Sequence, residues 1–186
     1  MVSSALAYVG LYFMTRYLGT EIYGTVTYTM AFVATFNAVS DLGFGSAHVK
    51  KVSEGEDPNA CISTYAAIKL ILTGAMAVLV LSSVFIWTGP MGNALSGTSI
   101  DLILLFVLYQ VLYDLSAIAT TTFQARMEMA KMPLVTLIDP LVRVPLIIFV
   151  SVNRMGVWEL ALAYVIGAIA VAALALFLMF REKVRW

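Results

Sequence analysis

Long apolar stretches broken by short polar clusters run the whole length of the chain. Three stretches carry no charged side chain: residues 22–40, 70–100 and 160–180. A helix needs about 20 mostly apolar residues to cross a hydrocarbon core roughly 30 Å thick, so each is long enough to span one. The remaining apolar stretches are interrupted once or twice by a charge. With Gly, Pro, Asn and the charge clusters taken as boundaries, the pattern predicts six helices, over residues 2–18, 24–45, 60–88, 101–121, 133–152 and 157–180. Alternation with period two is missing and the runs are too long for the strands of a membrane β-barrel. The predicted fold class is all-α: a polytopic membrane protein, one six-transmembrane-helix bundle over residues 1–186.

Composition narrows the function classes. The 186 residues are 61% hydrophobic and 12% charged, whereas a soluble domain carries about 25% charged residues. Too little polar surface is left to coat a water-soluble globule. Formal net charge is zero and no basic block occurs, which argues against a nucleic-acid partner. The single Cys61 cannot form an internal disulfide, and the single His48 makes a His-built metal site improbable. No Walker-type loop is present, and His-Glu-x-x-His is impossible with one histidine. Gly43-Phe44-Gly45 lacks the parallel-sheet unit of a dinucleotide fingerprint. The expectation is a protein with no catalytic residues, no metal and no cofactor. The ten methionines are scattered and read as packing. Trp87, Trp158 and Trp186 fall near span ends, where interfacial belts form.

Lys and Arg in short loops set orientation. With the N-terminus inside, Lys50, Lys51, Arg126, Lys131, Arg181, Lys183 and Arg185 are cytoplasmic, and only Arg154 and Arg16 are outside. Both termini are therefore expected on the cytoplasmic side of the cell membrane. The first span lacks a basic n-region and a cleavage site. Tyr8, Tyr12 and Arg16 share one helical face, so the chain is expected to begin inside a helix that was once longer.

An ionisable side chain within a span costs about 2.5–3.5 kcal/mol near its centre and so needs a partner, a wet cavity or a route to the interface. Asp139 and Arg143 stand four apart, the spacing at which side chains meet on a helix. Thr136 continues their stripe, and Pro140 and Pro145 free backbone carbonyls beside them. Arg143 either faces a cavity and an anionic substrate, which guanidinium can grip bidentately, or neutralises Asp139. Asp114, one turn after Gln110, is either a proton or cation site or the partner of Arg143 or Lys69. Lys69 either snorkels toward the cytoplasm or faces a cavity. Asp41, one turn after Asn37, belongs to the polar end of the second span. Arg16 complements the helix dipole at the end of the first span or contacts substrate, and Glu159 complements an N-terminus.

Two segments carry a resemblance. The first runs Thr15-Arg16-Tyr17-Leu18-Gly19-Thr20-Glu21-Ile22-Tyr23-Gly24; about a helix later comes Asp41-Leu42-Gly43-Phe44-Gly45, followed by the basic Lys50. In order and spacing they resemble the polysaccharide transporter family, the flippases for lipid-linked oligosaccharides within the multidrug/oligosaccharidyl-lipid/polysaccharide exporter superfamily. Thr15 stands where that family usually has Ala, Thr20 where it has Pro, and Lys50 where Arg is common. The likeness covers about the first 50 residues. It implies one N-terminal six-helix lobe of a two-lobed transporter, working by alternating access around a midplane site. It further implies a diphosphate-bearing, lipid-linked glycan as substrate, membrane lipids around the bundle, and a C-terminal lobe or second chain as partner. On this reading the chain is a fragment. Arg143, Lys69 and Arg16 become candidates to attract diphosphate or acidic sugar, and Asp139, Asp114 and Asp41 candidates for coupling or charge pairing.

Other functions compete. A multidrug extruder or a lipid II flippase of the same superfamily needs the same architecture. An intramembrane enzyme on polyprenyl phosphates needs clustered acids at the interface, yet Glu54, Glu56 and Asp57 read as a solvated loop. A non-transporting scaffold predicts that the membrane charges are all paired with one another.

Overall fold

The computed structural model describes residues 2–88, 97–128 and 130–183. Residues 89–96 of the loop expected between the third and fourth spans, together with Arg185 and Trp186, lie outside the described residues. Among those described, every regular element is helical.

Helix α1 (Val2–Phe13) runs on without a break through a π-helical turn, Met14–Leu18. Direction changes at Gly19, whose φ of 81° and ψ of 170° suit a residue without a Cβ. Because the glycine makes the corner alone, α2 (Gly19–Thr35) starts at once and no loop is needed. It ends at Phe36; a short α3 (Asn37–Ser40) follows, and the chain turns again at Gly43, φ 82°. Both segments that carry the family resemblance thus contain a glycine with positive φ at a helix break. The amphipathic α4 (Phe44–Ser53) leads into α5 (Pro58–Thr88), α6 (Gly97–Ala125), α7 (Lys131–Val152) and α8 (Val157–Lys183).

Four of these, α5 to α8, are long and apolar enough to cross a membrane. The expected first two spans differ from the uniform helices predicted. Residues 2–18 form α1 plus the π-helical turn, and residues 24–45 are divided among α2, α3 and the start of α4. Part of the reason is local: within the second expected span Gly43 adopts a left-handed backbone angle that ends a helix, which hydropathy does not register. Pro140 and Pro145, by contrast, are both accommodated inside an unbroken α7.

α8 is the central element, packed along both α6 and α7, while α1 lies on α7 and α2 on α6. Ala161, Ala168 and Ala175 recur every seven residues on α8 and are fully buried, which lets neighbouring backbones approach closely. Phe106, Met76 and Leu102 fill the space between. On the far side of α5, Ile71, Val78 and Phe85 also recur every seven residues but are 70%, 62% and 72% exposed. An apolar stripe turned outward is stable when the surroundings are lipid.

Candidate functional site

The charged side chains deep in the spans gather in two places. The first joins α3, α5 and α6. Lys69 and Asp114 each lie eleven residues inside the helix ends next to α4, about 16 Å deep at 1.5 Å per residue. The hairpin thereby brings them to one level. Lys69 Nζ stands 3.0 Å from Asp114 Oδ1 and donates to the Ser40 carbonyl at 2.8 Å. Thr73 Oγ1 donates to Asp114 Oδ2 at 2.9 Å. Gln110 Nε2 donates to Asn37 Oδ1 at 2.8 Å and reaches Asp114 Oδ1 at 3.5 Å, and Ser40 Oγ donates to the same Asn37 oxygen at 2.7 Å. Lys69 and Asp114 are both buried. The stem of Lys69 does not snorkel: its ammonium turns inward because a carboxylate and the open carbonyl of a broken helix are nearer than the interface.

The second place joins α7, α8 and α6. Arg143 pairs with Asp139 at 2.9 Å, one turn apart on α7. The Asp139 side chain is nearly enclosed while the Arg143 side chain remains 18% exposed. Arg143 also lies over the ring of Tyr164, 4.9 Å from its centroid, a favourable cation–π distance. Tyr164 in turn meets Tyr109 edge-on at 6.3 Å, and Tyr109 meets Tyr113 at 5.5 Å. Asp139 Oδ1 is buried with no hydrogen-bond partner. Gly167 of α8 faces this pair: a Cβ there would fall 2.9 Å from Asp139 Oδ1 and 3.1 Å from Arg143 Cβ.

Two candidates stand apart. Arg16, in the π-helical turn, donates to the Tyr12 hydroxyl at 2.9 Å and is exposed. Asp41 occupies the break between α3 and α4, where its carbonyl accepts the Gly43 N–H and its side chain is exposed. Neither joins the buried groups.

Sequence reasoning placed Asn37 and Gln110 beside charged residues but missed the contributions of Ser40, Thr73, Tyr164 and Gly167. Thr73 carried a signal, since it follows Lys69 by four in an apolar helix just as Asp114 follows Gln110. Gly167 carried none: its importance is the absence of atoms beside a pair on another helix.

Apolar helices with their outer faces lined by large hydrophobics, and ion pairs held within the bundle, define a helical membrane protein. The chain belongs to the polysaccharide biosynthesis protein family, whose model matches residues 1–185. Comparison with curated proteins and with solved structures gives no significant match.

Proposed function

We propose that the chain is one six-helix lobe of a flippase that moves lipid-linked oligosaccharide or polysaccharide precursors across the cell membrane by alternating access. Family membership over nearly the whole chain supports this reading. In it α1 with its π-helical turn forms the first span, α2 and α3 the second, and both termini face the cytoplasm. A second lobe, on the same or another chain, completes the substrate cleft. The chemistry is transport, not catalysis, and uses no cofactor.

One observation carries the assignment of the substrate contact. Arg143 is paired on one side yet retains exposure, so donors of its five-donor fork remain for a diphosphate oxygen. Asp139 holds the guanidinium in place and limits its affinity, so that the anion can leave. Lys69 and Asp114 act as a coupling pair that joins the broken α3 to the α5–α6 hairpin; Asp41 has no such connection, and Arg16 is a candidate for contact at the opposite end. The test replaces Arg143 with Ala in the native protein and measures lipid-linked glycan export at matched protein levels. Loss of export is expected; unchanged export removes Arg143 from the substrate pathway.

The mutual pairing of Lys69 with Asp114 and of Arg143 with Asp139 also suits a second reading, a non-transporting membrane scaffold. The two readings separate on one outcome. A scaffold has no export to lose on Arg143→Ala, whereas a flippase loses export even when compared at matched abundance.

A further inference from the structure

We propose that the cleft between α4 and α5 holds an acyl chain of a phospholipid with an ammonium-bearing headgroup, of the phosphatidylethanolamine type, seated on Lys51 and Glu56. The cleft has a volume of about 300 Å³, and Phe44, Ala47, Ala60 and Ile68 give it apolar walls. Cavities of this size begin the range that takes small organic ligands.

Two features point to an occupant. His48 lines the cleft, is 4% exposed and stacks on Tyr65 at 4.6 Å, and even with the Cys61 backbone beside the ring at least one ring nitrogen has no hydrogen-bond partner. A buried donor without an acceptor is unfavourable, and an ester or phosphate oxygen entering beside the ring supplies one. The rim supplies the second feature. Lys51 and Glu56 stand 3.2 Å apart with half or more of each side chain exposed, and Glu54 and Asp57 follow in the same turn region. With Lys50, which pairs with Glu54, the rim carries three carboxylates against two ammonium groups, an excess of one negative charge that disfavours a purely anionic headgroup. A phosphate on Lys51 with an ammonium on Glu56 places each charge opposite its complement. Apolar walls below a zwitterionic rim, on an amphipathic helix beside a membrane-crossing one, match a phospholipid. This inference does not depend on the transport reading; it needs only α5 in the membrane and α4 at its surface.

The experiment uses the full chain in nanodiscs carrying phosphatidylethanolamine with a photoactivatable acyl chain, or the phosphatidylglycerol equivalent at equal mole fraction. Expected is cross-linking within residues 44–68, several-fold greater for phosphatidylethanolamine. Ala47→Trp, which fills the cleft, lowers that cross-linking and leaves cross-linking along α8 unchanged. The double variant Lys51→Gln/Glu56→Gln alters only exposed positions, so it decides the matter if Ala47→Trp does not fold. Equal labelling by the two lipids overturns the proposal, as does labelling of residues 44–68 that the rim variant leaves intact.

Discussion

Lys69 Nζ lies 3.0 Å from Asp114 Oδ1, and the same nitrogen holds the Ser40 carbonyl at 2.8 Å. One ammonium therefore ties the α5–α6 hairpin to the C-terminal end of α3, just before the chain breaks at Asp41 to Gly43. Removing one partner of a buried pair leaves the other charge uncompensated, at a cost of about 3–5 kcal/mol, whereas replacing both by apolar groups is often neutral. Asp114→Leu is expected to lower unfolding stability in detergent by about that amount. Asp114→Leu with Lys69→Met recovers most of it. A double variant as unstable as the single one shows that the pair is not the source.

Gly167 is the space into which the Asp139–Arg143 pair fits. Gly167→Ala places a methyl 2.9 Å from Asp139 Oδ1 and 3.1 Å from Arg143 Cβ. The pair must shift, and overpacking of this kind costs about 1–3 kcal/mol. Thermal unfolding checks the size of the loss. Made in an Asp139→Ala background, Gly167→Ala should cost less than it does in the wild type, because the clashing carboxylate is already gone.

Gly19 turns the chain between α1's π-helical extension and α2. A Cβ at φ 81° and ψ 170° is strained whatever the free space around it, and such conformations cost about 1–3 kcal/mol. Gly19→Ala is therefore expected to destabilise by about that amount even though no neighbour touches it. Gly24→Ala, in a helix with nothing close to the new methyl, serves as the control and should stabilise slightly.

Neutralising Asp139 should strengthen an anion contact at Arg143. With Asp139→Asn the guanidinium loses its counter-charge 2.9 Å away, so a polyprenyl diphosphate binds more tightly and leaves more slowly. Binding measured directly should rise while export falls. Unchanged binding in this variant and in Arg143→Ala together argues that the pair serves only the fold.

His48 gives the chain a pH dependence. Burial, with Arg126 adding in the same direction, holds its imidazole below the ordinary 6.5, against a smaller opposing effect of the Cys61 backbone. The unfolded chain then binds the proton more readily than the folded one. Stability from the neutral ring is complete above about pH 6.5 and falls as pH drops through the lowered folded value. Amide protection of α4, taken relative to the intrinsic exchange rate at each pH, should fall between neutral and mildly acid pH in the wild type. His48→Phe, which keeps the stacking on Tyr65, should flatten that dependence.

The hydrophobic pattern by itself determined that the chain is helical and built for lipid, because length and apolarity of a span are properties of consecutive residues. It also put Asp139 and Arg143, four apart on one helix, within reach of each other, while only the structure decided that they pair. It also placed Lys69, Asp114, Gln110 and Asn37 among the groups that need partners. Which partner each takes was decided only by tertiary structure: Asp114 had both Lys69 and Arg143 within the sequence's reach at nearly equal depth, and the packing turns Asp114 toward α5, where Lys69 and Thr73 meet it. The breaks at Gly19 and Gly43 depend on backbone angles, and the place of Gly167 depends on atoms of another helix. The first is a local backbone conformation and the second a relation between distant parts of the chain, and a one-dimensional pattern of apolar and polar residues encodes neither.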